Sequence, residues 1–169
     1  MDFLPVDTMM GTRFYVLAVI SHKTREIVRF AITGNPTREF VRQQLMLFSD
    51  TLASTAYVIH DNALMFNIDF AAYSLVTIKT AVEAPNMNSI MERFFTTVRR
   101  EALDNFLLLG RSQIQRILEE HIAFYNTQRP RQGIRQQIPN PGEAERTPRV
   151  IRKRSVLGGL HHHYSRQAA

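Results

Sequence analysis

The sequence predicts an α/β domain: a mixed five-stranded sheet flanked by helices, with an irregular basic tail at its C-terminal end. Three observations lead there. Short apolar runs separated by turn residues fill the first 34 positions. Apolar runs then alternate with helical periodicity to about residue 126, and arginine and proline crowd the remaining C-terminal stretch. Strands joined first by hairpins and then through helices imply a sheet of mixed direction with helices on its faces.

DFLPVDT, RFYVLAVIS and EIVRFAITG read as three strands, with MMGT and HKTR as tight connections between them. Gly34 ends the third strand, and Asn35-Pro36 opens a helix with proline at its first position. That helix places Phe40, Val41, Gln44, Leu45, Phe48 and Leu52 on one side. AYVIH is a short fourth strand that runs directly into Asp61, NIDFAAYS gives one or two helical turns, and LVTIKTAV is the fifth strand.

A helix reaching to about Leu109 comes next. Met91, Phe94, Phe95, Val98 and Ala102 recur along it at helical spacing and form a buried stripe, and Gly110 supplies a left-handed stop. Ser112-x-x-Gln115 opens the last helix, which carries Ile114, Ile117, Leu118, Ile122 and Tyr125 inward and ends at Arg129-Pro130. Four of the seven prolines lie from Pro130 onward. The compact domain is therefore expected over residues 1–135, with a basic, flexible tail over 136–169.

Composition narrows the function classes. The 169 residues suffice for one domain with a real core, since about 100–200 residues per domain is usual. The absence of cysteine excludes disulfides, thiolate chemistry and Cys-based zinc sites. FYVLAVI is far too short to cross a bilayer and no secretory signal fits, so no membrane partner is expected and the chain stays where it is made. Residues 1–126 carry 12 basic and 13 acidic residues, whereas 127–169 carry 9 and 2. A near-neutral core with a basic arm points to a polyanionic partner.

Three acids carry the candidate chemistry. Asp2 opens the first strand, Asp61 ends the fourth, and Glu92 sits on the polar face of the long helix. In a mixed sheet the first two come close, and a helix packed at the same edge adds the third. Three carboxylates converging in this way suit a hard divalent cation, and a pair of such ions about 3.5–4 Å apart would clamp an in-line phosphoryl transfer. A plainer reading of the helix stays open: Ser89-x-x-Glu92 is a capping box, and Arg99 an ordinary solvated cation. The run His161-His162-His163 reads as solvated tail, His121 as a core histidine, and His60 as either a strand end or a substrate contact.

Four segments together resemble the catalytic core of the DDE integrases and transposases, the retroviral-type integrase core of bacterial insertion sequences. They are DFLPVDTMMGTRFYVLAVISHKTREIV, VIHDNALMF, VEAPNMNSIMERFFTTVRREALDNFLLLGR and HIAFYNTQRPRQGI, and they cover residue 2 to about 135 in the family's order. LGGLHHHY near the end also resembles tails of such transposases. The resemblance implies an RNase H-like fold and DNA integration or transposition by metal-dependent strand cleavage and transfer. Mg²⁺ or Mn²⁺ would be the cofactor, as two ions.

It also implies residue roles. Asp2, Asp61 and Glu92 would be the catalytic metal ligands, with Asp7 competing for the first place and Asp69 for the second. Asn88, Arg99, Arg129, Arg152, Lys153 and Arg154 would contact DNA, although Tyr125, Asn126 and Arg129, which match the family's YN-x-x-RP segment, also suit a structural role. The implied partners are transposon ends, target duplex and further copies of the chain in a synaptic complex, in a bacterial cytoplasm. Two departures stand out. Only 30 residues separate Asp61 from Glu92, fewer than the family commonly has. No helix-turn-helix precedes Asp2, as in a fragment lacking its specificity module. An inactive fragment that binds DNA or a partner transposase, and an RNase H-like nuclease, are the alternatives.

Overall fold

A computed structural model of the chain describes residues 1–52, 57–79, 89–130, 132–141 and 150–167. It divides into two compact units. One comprises Met1–Ile20 with Val28–Thr96, the other Ser21–Ile27 with Thr97–Ala169. The second part of each pair begins within β3 and within the long helix.

The first unit opens with β1 (Asp2–Asp7), β2 (Arg13–Ile20) and β3 (Ile27–Thr33), hydrogen-bonded in that order. β1 and β2 run antiparallel, with Asp2 opposite Ala18 and Asp7 opposite Arg13. Thr8 locks their turn: its amide donates to the Thr12 carbonyl, and its hydroxyl oxygen accepts the Thr12 amide. Gly11 takes the positive φ of 77° that this reversal needs.

α1 (Arg38–Leu52) lays Val41, Leu45 and Phe48 into a cluster with Leu17 and Val19 of β2, and with Met1, Val58, Phe66, Phe70 and Leu75. Leu45 is fully buried there, so cutting it to alanine would cost about 2–5 kcal/mol. β4 (Tyr57–His60) and β5 (Val76–Lys79) pair in parallel, Tyr57 with Val76 and His60 with Lys79. Between them two 3₁₀ turns, Leu64–Phe66 and Ala71–Tyr73, take the place of the expected helical turns, and Phe66 and Phe70 are buried.

The architecture is mixed α/β, but the described residues form sheets of three, two and two strands instead of one sheet of five. β4 is only four residues long, and the start of β1 reaches it through the Met1 ammonium, which donates to the Ile59 carbonyl at 2.6 Å.

The long helix, α2 (Ser89–Glu101), buries Met91, Phe94, Phe95 and Val98 as its periodicity requires. It stops well before Leu109 because Ala102 leaves helical geometry (φ −133°, ψ −74°). The Asn105 side-chain amide then donates to the Arg100 carbonyl and satisfies the helix end.

In the second unit α3 (Arg111–Thr127) buries Ile114, Ile117, Leu118, His121, Ile122 and Tyr125. The expected irregular tail is instead a two-stranded antiparallel ribbon over most of its described length: β6 (Val150–Val156) and β7 (His161–Gln167). Leu157, Gly158 and Gly159 all have positive φ and reverse the chain between these strands, and Val156 and Leu157 are buried. Charge and proline content in the sequence mask this turn. Among the described residues no helix is long and apolar enough to cross a membrane.

Candidate active site

Sheet geometry sets two of the three acids. Asp2 is the first residue of β1 and Asp61 comes directly after the last residue of β4; both are half-buried in the first unit. The Met1 ammonium lies at this junction, where burial pushes its pKa from 8.0 down to about 6 while the Asp2 and Asp61 carboxylates pull it back up. Asp2 Oδ1 accepts the Phe3 amide at 2.7 Å, and Asp61 Oδ1 accepts the Ala63 amide at 3.1 Å.

Asp61 also lines a cleft of about 160 Å³ with His60, Asn62, Ala63, Leu64, Phe66 and Asn67. His60 forms its wall and is itself buried, with its ring stacked on Phe70 at 5.0 Å and Nδ1 donating to the Asp61 carbonyl. Of the two roles open to His60, packing at the strand end describes its surroundings: the ring fixes the backbone that carries Asp61.

Glu92 belongs to the same unit but is exposed on α2. Among the described residues no group of three or more His, Cys, Asp or Glu side chains stands together as a metal site. The structure thus places Asp2 and Asp61 where β1 meets β4, without joining Glu92 to them in a three-ligand cluster among the described residues. The donor chemistry of the first two fits a hard divalent ion, since carboxylate oxygens are what such ions take. The competing acids have other partners. Asp7 is gripped by Arg13 in a two-point fork (2.6 and 3.0 Å), and Asp69 Oδ1 accepts the Ala71 amide at the start of a 3₁₀ turn.

The expected DNA contacts divide. Asn88 lies outside the described residues. Arg99 is exposed, seven residues beyond Glu92 on α2. Arg152, Lys153 and Arg154 are exposed on β6. Arg129 is different: it grips Glu101 with two guanidinium nitrogens inside the second unit, with side-chain exposures of 28% and 14%. Burial and then Arg100 lower its pKa. Arg129 thus spends its guanidinium on an internal carboxylate.

The rest of the YN-x-x-RP segment makes internal contacts too. Asn126 Oδ1 accepts the Ile27 amide at 2.9 Å while its Nδ2 donates to the Ile27 carbonyl at 3.0 Å, and Tyr125 is buried. Two residues to which no motif assigns a role, Glu101 and Glu120, complete the unit. Glu101 binds Arg129, and its carbonyl accepts His161 Nε2 at 2.8 Å; Glu120 Oε1 accepts the Leu157 amide at 2.5 Å. Spacing carries no signal for either, since their partners lie 28 and 37 residues away. His161 is likewise no solvated tail residue, for its ring stacks on Phe124 at 5.1 Å.

Comparison with known proteins agrees with this architecture. Residues 75–139 match the family model described as an integrase core domain. A chain of the simian T-cell lymphotropic virus intasome, determined in complex with the PP2A regulatory subunit B56 gamma, is similar in structure, with a TM-score of 0.65 at 10% identity. The match covers 96% of this chain and 64% of that one, so the present chain spans a little under two thirds of its length. No match is found among curated proteins. The resemblance to an integrase or transposase catalytic core stands on the family match and the shared fold.

Proposed function

We propose that this integrase-type core is a DNA strand-transfer enzyme of the DDE class, acting in the cytoplasm of a bacterium on transposon ends and a target duplex. The observation that carries the proposal is the junction of β1 and β4, where the Met1 nitrogen bonds the Ile59 carbonyl and Asp2 and Asp61 stand at the two strand ends. Asp2 and Asp61 would hold Mg²⁺ or Mn²⁺, and Glu92, from α2 of the same unit, would complete the ligand set. Bound there, a pair of such ions supplies an activated oxygen nucleophile and offsets charge on the phosphate under attack. In this reading Met1–Ile59 is the join of a five-stranded RNase H-like sheet, and further copies of the chain assemble around the DNA.

The protein's own groups do the positioning. Asp61 is held by Ala63 and by the buried His60 ring at the mouth of an open cleft. Arg99 lies about 10 Å along the helix from Glu92, at 1.5 Å per residue. That is too far for a shared metal and suitable for gripping a phosphate with its planar fork. One observation favours a second reading, a catalytically idle DNA-binding fragment: Glu92 is exposed and outside any three-ligand cluster among the described residues.

Joining of a labelled donor end to target DNA separates the two. Arg99→Ala should reduce joining about tenfold or more, on the scale of one lost charge-assisted phosphate contact, with metal binding intact. Arg100→Ala should join as wild type, since Arg100 is exposed and only 3.9 Å from Glu101 in a weak pair. Absence of joined product from the wild type supports the idle binder, and equal joining by all three proteins removes Arg99 from the site.

A further inference from the structure

The β6–β7 ribbon has two unlike faces. In an antiparallel pair, residues opposite one another point to the same side, and neighbours along a strand alternate. Val156 pairs with His161, Arg154 with His163 and Arg152 with Ser165 on one side. Ser155 pairs with His162 and Lys153 with Tyr164 on the other, which Ile151 shares.

The first side is the docked one. Val156 is buried, and His161 stacks on Phe124 of α3 while bonding to the Glu101 carbonyl. The other side therefore faces solvent. Tyr164 is 61% exposed and Ile151 69%, with Lys153, the cross-strand partner of Tyr164, exposed too. No acid occurs between residues 150 and 167. The turn end is the anchored end, fixed by Leu157 and Glu120, so the platform is rigid where it leaves α3.

From this geometry we infer that the outward face of the ribbon binds unpaired nucleic acid, with a base stacked on Tyr164 and the adjoining phosphate on Lys153. An exposed aromatic ring on a strand gives every base a π-face to stack on, and a cation one cross-strand step away matches the backbone charge. Duplex DNA keeps its bases stacked on one another and offers Tyr164 no such face, so the site selects frayed ends or single strands. The inference rests on the reading of DNA as the partner and gives the ribbon, remote in sequence from the carboxylates, a function of its own: capture of an opened end.

Fluorescence anisotropy of the full chain with a labelled oligothymidine, and with a duplex of equal length, tests it across a salt series. Tyr164→Leu should weaken single-strand binding about tenfold, keep the salt slope and leave duplex binding within about twofold. Tyr164→Phe should bind as wild type. Lys153→Ala should flatten the single-strand salt slope by about 0.7. Thermal unfolding of each variant shows whether the ribbon stays docked. Equal binding by Tyr164→Leu and Tyr164→Phe overturns the inference, as does an equal loss on duplex. Binding of poly-glutamate or of anionic vesicles as tightly as the oligothymidine would also overturn it, marking a general cationic patch. The carboxylate reading fails separately: Asp61→Asn should lose catalysis and still bind the oligothymidine, so catalysis retained by Asp61→Asn counts against the carboxylates and leaves the ribbon untouched.

Discussion

Glu101 and Glu120 of the second unit and Asp61 of the first have opposite fates. In the second unit Glu101 is closed in a fork with Arg129, and Glu120 is committed to the Leu157 amide at the ribbon's turn. In the first unit Asp61 accepts a local amide two residues on, lines an open cleft, and stands with Asp2 where β1 meets β4. Acids that hold a fold together find a long-range partner. In the proposed reading, the acids kept for chemistry are braced from behind by short-range bonds and left open in front. The same comparison sorts the cations: Arg129 is locked, whereas Arg99, Lys153 and Arg154 are exposed.

The largest effect expected from this contrast is on stability. Arg129→Ala strands a mostly buried Glu101 carboxylate and should cost about 2–4 kcal/mol, read as a lower urea midpoint. Pairing it with Glu101→Leu should recover most of that loss, because no charge is then left unpaired. An Arg129→Ala protein as stable as wild type would mean that the fork is not closed in solution, and Arg129 would return to the DNA contacts.

Legibility in the sequence tracks the range of the interaction. The stripe Met91, Phe94, Phe95 and Val98, the hairpin around Gly11 and the strand-end position of Asp61 depend on neighbours, and periodicity or turn chemistry exposes them. The early end of α2 depends on Asn105 reaching back to the Arg100 carbonyl, which no apolar pattern encodes. The ribbon is hidden because its strands are charged and histidine-rich, and the docking of its turn rests on a contact across 37 residues. Arg129 shows the same limit. A lone arginine in a familiar segment suits phosphate or carboxylate equally well, and only the fold brings Glu101 to it.

The central claim is that Asp2 and Asp61 form a metal-dependent catalytic pair completed by Glu92, and nicking of supercoiled DNA in Mg²⁺ and Mn²⁺ tests it most directly. Asp2→Asn, Asp61→Asn and Glu92→Gln should each lower nicking by about a thousandfold or more in both metals, the scale of losing a group that stabilises the transition state. Asp7→Asn and Asp69→Asn, which remove only a surface fork and a turn contact, should nick as wild type. Residual nicking by Asp61→Asn equal to that of Asp69→Asn would contradict the account.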